Sequence, residues 1–134
     1  MISGKRRSFV KKLGIFSGLG LTSLQSTATP PAKIPFKHIV FFWLKDNSDE
    51  ALTDFEMNTK KHMDSVSEVK EYHIGRAAGT PRDVVDNSYS ICLVASFKSK
   101  EDQDKYQVHQ AHLDYIEKQK DKWTRVQVYD SWAG

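Results

Sequence analysis

The chain has 134 residues, a formal charge of +3 from 20 Lys and Arg against 17 Asp and Glu, and 39% hydrophobic residues with 11% aromatic. That profile fits one globular domain and excludes a disordered or collagen-like chain. The one cysteine, Cys92, excludes an internal disulfide framework and a Cys-rich zinc module, and no run approaches the ~18 apolar residues of a spanning helix.

The positive charge is unevenly placed. Lys5, Arg6, Arg7, Lys11 and Lys12 lie in residues 1–28, which hold no acid, so the remainder carries 15 basic against 17 acidic residues. A nucleic-acid binder keeps a basic stripe on its folded domain, and nucleic acid is therefore not an expected partner. Residues 1–28 read instead as an export signal. A charged stretch, Met1 to Lys12, precedes a short glycine-interrupted apolar one, Leu13 to Leu24, with Ser26-Thr27-Ala28 supplying small residues for cleavage. Arg6-Arg7-Ser8-Phe9-Val10-Lys11 resembles the twin-arginine pattern. The expectation is a periplasmic or secreted protein with no stable membrane anchor after cleavage. Residues 29–34 then form a linker, and residues 35–132 one domain with a small core.

Phe36 to Lys45 is the clearest strand. Phe36, His38, Val40, Phe42 and Leu44 point one way and Ile39, Phe41 and Trp43 the other. With two apolar faces, it calls for cover on both sides, and one layer of helices supplies only one. A copy of the same chain is the natural second cover. Asn47 to Val66 reads as a helix, with Asn47 as N-cap and Glu50 completing a capping box. Ala51, Phe55, Thr59, His62 and Val66 share a face. Val69 to Ala77 is a second strand, closed by Gly79-Thr80-Pro81, and 78–88 is a polar loop. Tyr89 to Phe97 is a third strand, apolar on both faces. Ser99 with Asp102 starts a second helix that continues from Gln103 to Lys122, and Thr124 to Trp132 alternates as a fourth strand. The order β-α-β-β-α-β predicts an α+β, ferredoxin-like protomer.

Tyr106-Gln107-Val108-His109-Gln110-Ala111-His112 resembles the Tyr-x-x-His-Pro-x-His signature of the stress-responsive dimeric α/β-barrel family. Phe36-Lys37-His38-Ile39-Val40, Ser96-Phe97-Lys98-Ser99 and the closing Val126 to Asp130 fit the same family. The resemblance spans about residues 35–131. It implies a dimeric α/β barrel built from two ferredoxin-like protomers. The family includes a plant polyketide cyclase, and its catalytic tyrosine and histidine match Tyr106 and His112. Its opening-strand histidine matches His38, and a pocket-lining tryptophan matches Trp123. His109 joins these as a candidate pocket residue. This chain has Gln110 where the family has proline, and Glu56, Asn58 and Thr59 where the cyclase has aromatic pocket residues.

A histidine can take a proton from a carbon beside a carbonyl, and a tyrosine hydroxyl can support the oxygen that gains charge. In an unbroken helix Tyr106 and His112 lie about 120° apart on the wheel, so convergence requires a break between them. His112 is then either a base or a histidine stabilising that break, Tyr106 either an oxyanion support or a core aromatic, and His38 a satisfied core histidine or a pocket residue. His109 and His112 lack a third metal ligand nearby in sequence, and neither metal nor cofactor is expected. His62 and His73 read as surface or interface positions, and Cys92 as inert packing. Two functions follow: an exported homodimer holding a small apolar or carbonyl ligand without catalysis, or a cyclase-like lyase using His112 as base and Tyr106 as oxyanion support. A cavity of ~300 Å³ or more reaching both residues would favour the second.

Overall fold

The computed structural model describes residues 33–134 and, ahead of them, only Gly18, Gly20, Thr29 and Pro30. The export-signal reading of residues 1–28 falls, those two glycines aside, outside the described residues. From Phe36 on, the chain forms β1 (Phe36–Leu44), α1 (Asp49–Ser65), β2 (Glu71–Arg76), β3 (Ile91–Phe97), α2 (Lys100–Val108), α3 (Gln110–Gln119), a 3-10 turn (Lys120–Lys122) and β4 (Trp123–Trp132). The strands make one antiparallel sheet in the order β2-β3-β1-β4. This is the ferredoxin-like arrangement, with the second helix of the expected pattern divided in two.

The alternation in β1 sets the two layers. Phe36, His38, Val40, Phe42 and Leu44 are buried under the helices, while Ile39, Phe41 and Trp43 are half-buried on the other face. Pairing carries this division across the sheet, because directly opposed residues share a face. Val40 opposes Leu93 and Val128, and Phe41 opposes Cys92 and Gln127. The core beneath the helices gathers Phe42, Phe55, Met63, Ile91, Leu93 and Phe97. Each such side chain contributes about 1.5–3 kcal/mol through burial. The ring of Phe42 meets that of Phe55 edge-on, with centroids 5.0 Å apart. The opposite face keeps Ile39, Phe41, Trp43 and Val94 half-buried and Tyr129 58% exposed, with no described element above it. In the β2–β3 loop Gly79 takes φ +71°, which favours glycine. Asn87 holds that turn, accepting from Gly79 N (3.1 Å) and donating to Thr80 O (3.0 Å).

Two local expectations are corrected. The N-cap of α1 is Ser48, whose hydroxyl accepts from Ala51 N at 3.2 Å, and not Asn47. Asn47 is engaged elsewhere: its amide donates to Leu44 O and its carbonyl oxygen accepts from Ser90, tying the end of β1 to the start of β3. The second correction is the helix expected to run from Gln103 to Lys122. Ser99 starts it as expected, accepting from Asp102 N at 3.1 Å, but it stops at Val108 and restarts at Gln110.

His109 makes that break. Its backbone is extended (φ −64°, ψ 136°), and its N–H bonds back to Tyr106 O at 3.1 Å, closing α2. Its imidazole Nδ1 accepts from Ala111 N at 3.0 Å, while its carbonyl accepts from His112 N and Leu113 N, opening α3. One residue thus serves as C-cap and side-chain N-cap together. An N-cap side chain contributes about 0.5–2 kcal/mol. We expect His109→Ala to lower the melting temperature by about 4–8 °C, the shift for ~1 kcal/mol in a domain this size, and His109→Asn to recover most of it. Equal losses in the two variants, measured by thermal denaturation, would show that the cap bond carries no stability.

Candidate functional site

The break turns α3 so that His112 comes back beside Tyr106. The two rings lie 4.3 Å apart between centroids, inclined at 64°. In one continuous helix six residues would separate them by about 9 Å along the axis and put them on different faces. Between this pair and the sheet lies a cavity of about 330 Å³. His38, Tyr106, His112 and Trp123 line it, with Val40, Phe42 and Leu93 as its apolar floor. Val126 and Val128 border it from the edge strand and stay 36% and 42% exposed.

Four of the five candidate residues therefore meet at one cavity. His109 does not: it caps the helix break and is absent from the cavity wall. His38 reaches the cavity from β1, and its Nδ1–H donates to Asp130 Oδ1 at 2.7 Å, which orients the ring. Trp123 packs its ring 5.4 Å from that of Phe42.

His62 was expected at the surface or in an interface and is instead 6% exposed inside the domain. Its Nε2 lies 3.1 Å from the Tyr106 hydroxyl. Its ring stacks on Tyr115 at 4.5 Å and 11°. Tyr115 donates to Thr59 Oγ1 (2.7 Å), because the Thr59 proton goes to Phe55 O (2.8 Å). The signal was in the sequence: Phe55, Thr59, His62 and Val66 share the α1 face that packs inward. A histidine between charged neighbours, Lys61 and Asp64 among them, masked it. Nothing in the pattern named Tyr115.

Burial decides the protonation of this group. It holds the His112 imidazole down to about 4, helped by His38 and His109 nearby. It holds His62 down to about 4 as well, helped by His112 and His109. It raises the Tyr106 phenol and pushes Tyr115 up to about 12, the Thr59 bond partly opposing the latter. At neutral pH His112 and His62 are therefore neutral imidazoles, and Tyr106 and Tyr115 protonated phenols. His62 Nδ1 and His112 Nδ1 are buried without a protein partner. A stranded N–H is rarer than a stranded lone pair, so the favoured His62 tautomer carries its proton on Nε2 and donates to the Tyr106 oxygen. The Tyr106 proton is then free for another acceptor.

Burial also raises the Cys92 thiol, in keeping with inert packing. Among the described residues, no three His, Cys, Asp or Glu side chains gather in a way that could hold a metal ion.

A family model described as the Stress responsive A/B Barrel Domain matches residues 36–133. Among solved structures, a protein from Arabidopsis thaliana superposes with a TM-score of 0.65 at 22% identity, over 75% of this chain and 96% of that one. The hydroxynitrile lyase from Passiflora edulis does so with 0.64 at 16%, over 74% and 93%. A dimeric ferredoxin-like protein of unknown function from Thermobifida fusca gives 0.60 at 17%, over 72% and 89%. At these identities the likeness is one of fold. No curated protein matches the chain in sequence.

Proposed function

The chain belongs to the stress-responsive A/B barrel domain family, and from that premise we propose that it works as a homodimer in which each protomer binds a small, uncharged carbonyl compound and moves a proton beside its carbonyl group. The observation that carries this is the pairing of His112 with Tyr106, rings 4.3 Å apart, in a cavity of about 330 Å³. That volume falls at the lower end of small-molecule sites, about 300–1,000 Å³. The apolar floor suits a hydrocarbon body, the Tyr106 hydroxyl a carbonyl oxygen, and neutral His112 an acidic C–H next to it. The fold neighbour that is a hydroxynitrile lyase lends support, since cleaving a cyanohydrin to a carbonyl compound is also acid–base chemistry on a small neutral substrate. A binding-only reading draws on the 2% exposure of Tyr106, which leaves little of it reachable.

Proton exchange separates the two. With acetophenone in D₂O followed by NMR, the protein accelerates exchange of the methyl protons. His112→Ala removes the acceleration, and Tyr106→Phe lowers it by about a hundredfold, the usual effect of losing one oxyanion donor. Because the base must be unprotonated, the acceleration persists at neutral pH and is lost as the pH falls through about 4, where His112 takes up its proton. Binding of acetophenone with exchange no faster than in buffer would leave the binding-only reading standing.

The homodimer is supported by the apolar face of Ile39, Phe41, Trp43 and Val94, which is only half-buried in the protomer, and by the dimeric fold neighbour. Light scattering gives twice the chain mass at micromolar concentration, and Phe41→Asp breaks the pair. A folded monomer of the unaltered chain would overturn this. Residues 1–28 act as an export signal read by the twin-arginine machinery, which delivers the domain to the periplasm. Arg6-Arg7 and the Phe9 and Lys11 that follow support this. Replacing both arginines with lysine traps precursor in the cytoplasm, and undiminished periplasmic protein in that variant would refute it.

A further inference from the structure

A second cleft, of about 260 Å³, opens between α1 and α3, with His62 on its wall and Tyr115 shared with the cavity. Two side chains on its wall are more than nine-tenths buried and hold an unpartnered polar atom: His62 (6% exposed) at Nδ1 and Gln119 (5% exposed) at Oε1. Lys61, Asp114 and Lys118 contribute charged groups to the same cleft. A ring nitrogen and an amide oxygen left bare inside a protein are ordinarily met by water, and the cleft has room for several molecules. The other face of the same imidazole, at Nε2, lies 3.1 Å from the hydroxyl of Tyr106. Tyr106 in turn lines the carbonyl-binding cavity. The His62 ring, held flat against Tyr115, is thus part of the cleft wall and in contact with Tyr106, with a buried, unpartnered Nδ1 and its Nε2 at the tyrosine hydroxyl.

We propose that the α1–α3 cleft is the proton port of the cavity and that His62 carries the proton through. Resting on the carbonyl reading above, the step runs in one direction as follows. A water in the cleft gives a proton to Nδ1, Nε2–H gives its proton to the Tyr106 oxygen, and Tyr106 gives its own to the substrate oxygen as His112 takes the proton from carbon. His62 leaves the step as the Nδ1–H tautomer, Tyr106 keeps one proton throughout, and the hydroxide left in the cleft is neutralised by buffer. The reverse step restores the starting tautomer. Imidazole is suited to this because it can take a proton at one nitrogen while releasing one at the other. Burial keeps His62 neutral at rest, so the ring starts with one proton to give and one lone pair to fill. His62 touches no substrate and acts through Tyr106, so it is a positioning and relay residue.

The test uses acetophenone exchange in D₂O again, with binding of the ketone measured separately by NMR. His62→Phe keeps the stack on Tyr115 and removes both nitrogens. His62→Gln keeps a donor for Tyr106 but cannot pass a proton. Both should retain fold and ketone affinity and lose at least tenfold in exchange rate. His62→Ala should be slow and should recover on addition of imidazole, which fits the vacated cleft, while 1-methylimidazole, which fills the same space with only one usable nitrogen, should restore nothing. Equal rescue by the two additives would reduce His62 to a packing role, and so would full activity in His62→Gln. Slow variants that imidazole fails to rescue would also overturn the relay. If the unaltered protein itself does not accelerate exchange, the carbonyl reading falls and takes the relay with it. Acceleration by the unaltered protein with unaffected His62 variants would remove the relay alone.

Discussion

The break at His109 is the feature on which the site depends. It brings two residues that a continuous helix would hold about 9 Å apart along its axis to a ring distance of 4.3 Å. The α2–α3 turn satisfies its own backbone groups through one residue: N–H back to Tyr106 O, carbonyl to His112 N and Leu113 N, imidazole to Ala111 N. A break without these bonds would leave buried helix-end groups unpaired, at a cost of about 1–3 kcal/mol each. With them, α3 can change direction over a single residue, and His112, three positions on, swings into the cavity. His109, a candidate pocket residue from the sequence, thereby builds the site without facing it.

Around this turn the aromatic groups form one connected set rather than isolated contacts. His38 is held by Asp130 and meets Tyr106 edge-on at 5.9 Å. Tyr106 meets His112 and is bonded to His62, and His62 stacks on Tyr115, whose hydroxyl is fixed by Thr59. Four elements, β1, α1, α2 and α3, each contribute a polar aromatic, and β4 contributes the carboxylate. Polar groups packed this tightly raise the stakes of each bond, since a lost partner strands the next group in a medium of low dielectric. Thr59 and Tyr115 also show how the site manages without aromatic residues at Glu56 and Asn58: the ring that faces the cavity from this side comes from α3 and not from α1.

Much of this architecture was legible in the sequence because it rests on periodicity. The two-faced alternation of β1 and β3 requires cover on both sides, and the observed burial alternates along the whole of β1 and along β3 as far as Ala95, after which Ser96 is buried as well. Strand ends and caps were less legible because neighbouring residues compete for the same role. Asn47 and Ser48 are both good N-caps, and only the demand of Leu44 and Ser90 for Asn47 decides between them. The break was required by the geometry of a Tyr106–His112 pair, yet no breaker residue marks it. Histidine is not among the side chains that ordinarily cap helices, and Gln110 stands where a proline would have announced the turn. His62 was hidden for a different reason. Its helical position pointed inward, but a titratable residue between Lys61 and Asp64 looks solvated until its partners on α2 and α3 are in place.

The electrostatics of the cavity limit what it can accept. Burial holds His112 neutral and Tyr106 protonated, and the carboxylate of Asp130 is bonded to His38. Among the described residues that line the cavity there is no lysine or arginine to meet an anionic ligand, and a cationic one would compete with His38 for Asp130. A neutral ligand with one strong acceptor loses least on entry, because the apolar floor replaces its hydration and Tyr106 replaces the bond to water. The same burial that selects neutral ligands weakens His112 as a base. A weak base is useful only if charge on the departing side is quenched at the same moment, before carbanion and imidazolium must coexist in a dry pocket. The chain Tyr106–His62 supplies a proton from the opposite direction, so neutral imidazoles on both sides of the tyrosine are complementary halves of one arrangement rather than two weak sites.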